Sequence, residues 1–216
     1  MSKVIQLVVL AIIISLGAFG QSKWSIEVHG GDVLNLPLPL IIKQNGNPPI
    51  KITAHYSTEA LTLPVYWDLR LSRWKEGKSI EAELIHHKLY LDNTTSEIEK
   101  FNISHGFNML FFNRGFEKRK FRVHTGIGMV IIHPESRIRG LEFGDSTNDW
   151  DLGYYISGPA FNLAFGRPVR LSNRFFLNLE GKTTAAYSNA KIAKGHATVF
   201  NLAFHLNIGF GVDFFR

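Results

Sequence analysis

The chain has 216 residues, no Cys, 17 Phe and a formal net charge of +6. Without Cys, thiol catalysis, thiolate metal sites and disulfide support are excluded. The length and the lack of a Pro/Ser-rich linker indicate one domain.

Residues 1–20 read as a signal peptide. Lys3 supplies the positive start, Val4 to Leu16 the apolar run, and Ala18-Phe19-Gly20 a small-x-small cleavage pattern before Gln21. The apolar run is shorter than the roughly 20 residues a spanning helix needs, which disfavours an uncleaved anchor. Residues 21–216 then form the mature domain. Its dispersed Lys and Arg suit contact with anionic surfaces such as lipopolysaccharide phosphates, and export disfavours nucleic acid as a partner.

The mature chain has no stretch of 18 apolar residues and alternates with a period of two almost throughout, which predicts strands with one apolar face. Trp24 to Gly30 is the first. Tyr66 to Trp74 sets Trp67, Leu69 and Leu71 against Asp68, Arg70 and Ser72. Ile80 to Lys88 sets Ile80, Ala82 and Leu84 against Glu81, Glu83 and His87. In Phe101 to Asn113, the residues Phe101, Ile103, Phe107, Met109 and Phe111 form the apolar row, predicted to face lipid, opposite Asn102, Ser104, Gly106 and Asn108. Phe121 to Ile131 sets Phe121, Val123, Ile127, Met129 and Ile131 against Arg122, His124, Gly126 and Gly128. The two glycines read as room for Arg122 or His124. Tyr155 to Phe165 and Arg174 to Lys182 follow, the latter aligning Asn178, Glu180 and Lys182. The last strand carries Phe200, Phe204, Leu206, Ile208, Phe210 and Val212 on one face. Its other face holds Gly, Ala, Asn and His205, a set that suits a narrow barrel interior better than water.

These segments predict an all-β fold: an eight-stranded antiparallel up-and-down transmembrane β-barrel, with ten strands the alternative if Ile50 to Tyr56 is a hairpin arm. The outward Phe, Leu and Ile bands disfavour a soluble periplasmic barrel, which would leave a large apolar surface in water. Short joins are expected at residues 75–78, 114–120 and 170–173. Longer ones at 31–64, 91–99, 133–152 and 188–195 would share the external face.

The order of Asn207-Ile208-Gly209-Phe210-Gly211-Val212-Asp213-Phe214 resembles the C-terminal β-signal of bacterial outer-membrane proteins, with Asn207, Gly209, Val212 and Phe214 at the matching positions. Arg216 follows Phe215 where many such proteins end on the aromatic. The resemblance implies the outer membrane, with its lipid and lipopolysaccharide, as the location and the barrel assembly machinery as a partner.

Inside such a barrel Asp68, Arg70, Glu81, Glu83, Arg122, His124, Glu180, Lys182 and His205 should share the lumen. Charges of both signs there must pair, so the set reads first as structural packing. Nine His draw attention to the outer strand ends. His86, His87 and Lys88 end the third strand, Ser104 and His105 begin the fourth, and His133 and Glu135 follow the fifth. Such a rim could bind a divalent metal or carry acid-base chemistry, although no cofactor is implied by spacing. By parity His87 faces inward and His86 outward. A bulge at Gly106 would be needed to turn His105 inward.

Two segments resemble lipid A-modifying barrels. Tyr187-Ser188-Asn189-Ala190 resembles the His-x-Ser-Asn segment of the deacylases, but Ala186 occupies the position of their catalytic His. Ser188 thus lacks an adjacent base, and that mechanism does not carry over. The stretch Glu83 to Asn108 is similar to lipid A oxidase-like proteins, which implies His87, His105 and Asn108, with Ser104 beside them, as candidate catalytic residues. The leading expectation is a barrel with a filled lumen whose external loops, chiefly Leu34 to Pro64, have a structural or ligand-binding role. A lipopolysaccharide-modifying enzyme is the alternative.

Overall fold

The computed structural model describes residues 22–144 and 153–214. The predicted signal peptide 1–20 with its junction at Gln21, part of the 133–152 connection, and Phe215-Arg216 lie outside the described residues. The strands are β1 Lys23–Asn35, β2 Leu38–Gln44, β3 Ile50–Ala54, β4 Tyr56–Ser57, β5 Trp67–Lys75, β6 Lys78–Leu91, β7 Ile98–Lys118, β8 Phe121–Ile132, β9 Glu135–Ile138, β10 Leu141–Phe143, β11 Tyr155–Arg170, β12 Phe175–Ile192 and β13 Gly195–Phe214.

Eight long strands, β1, β5, β6, β7, β8, β11, β12 and β13, pair in that order, each antiparallel to the next. The ring closes where β13 pairs with β1 from Trp24 opposite Phe214 to Asn35 opposite Ala203. This is the predicted eight-stranded barrel. Ile50–Ala54 does not enlarge it to ten: β3 pairs with β2, which hangs on the outer end of β13 through Leu40–Val199 to Gln44–Gly195. Closure pairs both edges of every long strand up to the level of Trp67, the condition for a sheet to cross lipid. Phe112, Ile127, Phe161, Leu179 and Leu206 are among the apolar side chains on its outer face, a belt suited to acyl chains.

The described turns at the end opposite the hairpins are tight. They are Glu76-Gly77, Arg119-Lys120 and residues 171–174, so residues 114–118 belong to β7 rather than to a join. At the other end the expected loop 188–195 is instead strand, closed by Ala193-Lys194 with Lys194 at φ 57°. The inward side chains Ala190, Ile192, Ala197 and Val199 explain this, because they cover an apolar core above the lipid belt. Likewise residues 31–64 are not one open loop: β1 runs to Asn35, and β2, β3 and β4 follow.

β7 corrects the sequence reading most sharply. Phe101, Ile103, Phe107, Met109 and Phe111 point inward and are buried, while Leu110, Phe112 and Phe116 face out. The outward row changes from Asn102, Ser104 and Asn108 to Leu110, Phe112 and Phe116 along the strand, so alternation alone could not assign the faces. The inward row joins Leu40, Ile42, Tyr56, Ile85, Leu89, Val130, Ile132 and Val199 in a core that fills the outer half of the barrel. Gly126 and Gly128 serve this seam as well. A Cβ at the first would collide with Asn113 and at the second with Phe111, so the space belongs to β7 and not to Arg122 or His124.

β5 is shorter than its neighbours at the outer end. It stops at Trp67, opposite His86, and its pairing with β1 ends at His29. Above that level β1 continues to Asn35 and β6 to Leu91, and residues 57–66 occupy the gap between them. Ser57 pairs with Tyr90, the Asn35 amide donates to Thr58 Oγ1 at 2.8 Å, and Lys88 Nζ donates to the carbonyls of Glu59 (2.9 Å) and Thr62 (2.6 Å).

Candidate functional sites in the lumen and on the outer wall

In the inner half of the lumen, strand alternation turns one polar row per strand toward the axis. Arg70 Nη2 donates to Glu83 Oε1 at 2.6 Å and to Glu180 Oε1 at 2.7 Å, and its Nη1 donates to Glu180 Oε2 at 2.8 Å. Asn113 and Asn162 each donate to Glu83 Oε2 at 2.7 Å. His124 Nδ1 lies 2.8 Å from Glu81 Oε2, and Ser79 donates to Glu81 Oε1. Arg122 reaches Glu117 (2.7 Å) and Glu27 (3.4 Å), with its guanidinium carbon 4.6 Å from the centroid of Trp74. Asn178 donates to Glu27 Oε2 at 3.0 Å. All nine lumen residues named from the sequence are buried. Glu27, His29, Asn113, Asn162 and Asn178 join them on the strength of the same alternation.

Asp68, Glu83 and Glu180 bring carboxylate oxygens within 4.8 Å of one another, a cluster able to hold a cation. Lys182 already occupies it, bonded to Asp68, to Glu83 at 2.5 Å and to Glu180 at 3.2 Å. The donor set therefore neutralises an ammonium and does not fit a divalent metal in its place.

The four candidate catalytic residues do not converge. His87 lies in the lumen, fully buried, with Nε2 3.0 Å from Thr58 Oγ1 and its ring centroid 5.5 Å from that of His205. His205 in turn meets Tyr66 Oη at 3.0 Å and Thr184 Oγ1 at 2.9 Å. These contacts form the floor of the apolar core. Sequence alternation pointed to His87 and His205, but not to Tyr66 or Thr58, which arrive from the segment that fills the wall gap.

His105, Ser104 and Asn108 are on the outer wall. Between the pairs His87–Phe107 and Leu89–Ile103, three residues of β7 face one of β6, and Gly106 adopts φ 138°. The bulge expected at Gly106 is present, yet it keeps His105 outside and half-exposed. Glu135 at the start of β9 approaches it, with Oε1 2.6 Å from His105 Nδ1, and Lys100 binds the other oxygen at 2.8 Å. Ser104 donates weakly to the same carboxylate at 3.5 Å rather than to His105. The His133 ring stacks on His105 at 5.0 Å, and Tyr154 Oη donates to the His105 carbonyl at 2.5 Å. Burial pushes the Tyr154 phenol up, which keeps it a donor at neutral pH.

Next to this group His86 stacks on Trp67 with centroids 5.6 Å apart, and its Nδ1 lies 2.8 Å from Asn108 Oδ1. Lys100 and Tyr154 escaped the sequence reading because neither belongs to a motif or a regular row. Ser188 points inward and donates to Ser157 at 2.8 Å, and among the described residues no imidazole partners it.

Asn207, Gly209, Val212 and Phe214 lie on β13 beside β1. A Cβ at Gly209 would meet the His29 ring, and one at Gly31 would meet Asn207, so the closing seam needs small residues there. Packing gives Asn207 and Gly209 a structural reason of their own.

No family model matches the chain, and no curated protein sequence matches it. Among solved structures, the barrel is similar to the outer-membrane protein AlkL determined in DMPC bilayers. The TM-score is 0.52 at 14% identity, covering 92% of this chain and 93% of AlkL. Neisserial surface protein A aligns with a TM-score of 0.41 at 9% identity over 89% of this chain and 97% of its own. Ail of Yersinia pestis aligns at 0.40 and 9% over 88% and 97%. The protein is an eight-stranded β-barrel of the small outer-membrane type.

Proposed function

We propose that the protein resides in the outer membrane after export and binds a ligand at its outer rim without conducting solutes through its lumen. The observation that supports this reading is the division of its polar groups. In the lumen, Arg70, Lys182, Glu83 and Glu180 are spent on one another and the apolar core seals the outer half. At the outer end, exposed Lys43, Lys51, Lys191 and Lys194 stand on the hairpins above the belt. Such a rim suits a phosphorylated, anionic headgroup, and lipopolysaccharide in the same leaflet presents one. The C-terminal strand is the proposed signal to the barrel assembly machinery.

One arrangement favours lipopolysaccharide modification as a second reading. Glu135 orients His105 through Nδ1, leaving Nε2 on the exposed side of the ring as a general base in the pattern of a carboxylate-imidazole pair. Ser104 is not placed as its nucleophile, so a water or a group on the lipid would have to react.

The discriminating experiment compares lipid A by mass spectrometry from cells with and without the protein, and with His105→Ala and Glu135→Gln variants. Binding of purified lipopolysaccharide to the reconstituted barrel is measured in parallel. Unchanged lipid A with binding that weakens in a Lys43→Glu/Lys51→Glu/Lys191→Glu variant supports the binding reading. A mass change lost in both His105 and Glu135 variants replaces it with the enzyme. Neither signal, with folded barrel, sinks both.

A further inference from the structure

Beyond rim binding, we propose that residues 61–65 form a membrane-inserted part of the barrel wall, with Leu61 and Leu63 reaching from the headgroup boundary into the acyl chains of the outer leaflet, where the sequence suggested an external ligand-binding loop.

The wall has a gap, because β5 ends at Trp67 while β1 and β6 continue above it. Residues 57–66 close that gap from both sides. Asn35 of β1 holds Thr58, Lys88 of β6 caps the carbonyls of Glu59 and Thr62, and Tyr66 reaches through to His205 in the lumen. One side of the segment therefore belongs to the core, with Thr58, Ala60 and Tyr66 buried.

Its other side carries Leu61 at 91% exposure and Leu63 at 82%, with Pro64 and Val65 exposed beside them. The external hairpin β2–β3 behaves in the opposite way: Leu40, Ile42, Ile50 and Ala54 turn inward, and Lys43 and Lys51 face water. A segment built for water would not reverse that pattern.

The level of the segment matches the belt. Thr58 is bonded to Asn35, which pairs with Ala203, and β13 still presents Phe204 and, further out, Phe200 on its outer face. Leu34, 65% exposed, sits opposite Phe204 at the same seam. Directly below, Trp67, Leu69 and Leu71 continue the outward row of β5. On the β1–β13 and β5 sides the patch thus merges with the lipid-facing surface, while on the β6–β7 side His105 and Glu135 mark the polar boundary; the apolar continuity selects acyl chains over a protein partner or a second copy.

Its chemistry suits hydrocarbon. Residues 60–66 include no charge. The amides of Thr62 and Tyr66 bond to Glu59 and Ala60 within the segment, Pro64 has no N–H, and Lys88 satisfies two carbonyls. These partners satisfy part of the segment's backbone, and the Leu61, Leu63 and Val65 amides, unpaired among the described residues, set its main chain at the headgroup boundary with the side chains reaching inward.

The absence of Cys makes the test direct. Leu63→Cys and, separately, Lys51→Cys are labelled with NBD and reconstituted in phosphatidylcholine vesicles, with folding checked by heat-modifiable gel migration. The Leu63 label should emit to the blue of the Lys51 label and be quenched several-fold more by nitroxide-bearing acyl chains than by aqueous iodide, with the reverse at Lys51. Equal iodide quenching at the two sites overturns the proposal, as does a Leu63 label reached by neither quencher, which would mean coverage by protein. Leu61→Cys serves the same purpose if the Leu63 variant does not fold.

Discussion

The two halves of the lumen are built on opposite principles. The inner half, toward the tight turns, packs Arg70, Arg122 and Lys182 against Glu27, Glu81, Glu83 and Glu180; the outer half packs Phe101, Phe107, Phe111, Leu89 and Val199 against one another. In the first, most strands separate a mainly polar inside from an apolar outside, so a one-residue slip would put charges into lipid. In the second, the inward row is apolar while the outward row mixes apolar and polar residues, and what orients them is the cover supplied by β2, β3, β4 and residues 57–66. Charge thus sets the register of the inner half, whereas packing by distant segments organises the outer half.

The comparison is tested most severely at Arg70. Arg70→Met leaves Glu83 and Glu180 without their guanidinium, and a loss of about 3–5 kcal/mol is expected from breaking a buried pair. Urea titration of the barrel in detergent or lipid vesicles would measure it; a loss below about 1 kcal/mol would show that Lys182 and the Asn side chains suffice. In the outer half, Phe107→Ala should cost about 3 kcal/mol through the cavity it leaves. Were the aromatic row facing lipid instead, the cost would be much smaller.

Lys88→Met removes the ammonium that caps the Glu59 and Thr62 carbonyls, and a loss of about 2–3 kcal/mol is expected from the two charged hydrogen bonds, offset in part by no longer burying the charge. Hydrogen exchange should rise in residues 57–66 and remain unchanged in β12, where the ladder is continuous. Thr58→Ala should produce the same local pattern with about 1 kcal/mol or less. The smallest expected effect is at His105, half-exposed on the outer wall. His105→Ala should leave stability within about 0.5 kcal/mol, so any change in ligand binding or lipid A mass in that variant reports on function rather than folding.

The barrel and the polar side of its lumen were legible because alternation is a local property. Asp68, Arg70, Glu81 and Glu83 lie two residues apart on strands whose other row is apolar, and pleating alone sends them inward. The candidate site was less legible. His87 and His105 are both near the outer ends of paired strands, yet one lies under the core and the other outside the wall, because the bulge at Ser104–Gly106 holds His105 on the outer face. Glu135 reaches His105 only because β9 pairs with β7, and no spacing along the chain announces that pairing.

From the sequence by itself came the number of barrel strands, their antiparallel order, the side of most strands that meets lipid and the residues that share the charged lumen. All follow from a two-residue period and from the cost of placing charge in hydrocarbon. The tertiary structure decided which face of β7 is inside, which segment completes the wall above Trp67, and which histidines meet. Those outcomes depend on contacts between segments far apart in the chain, where an apolar row turns into a covered core instead of toward lipid or a bulge resets the pleat, and the local period carries no information about them.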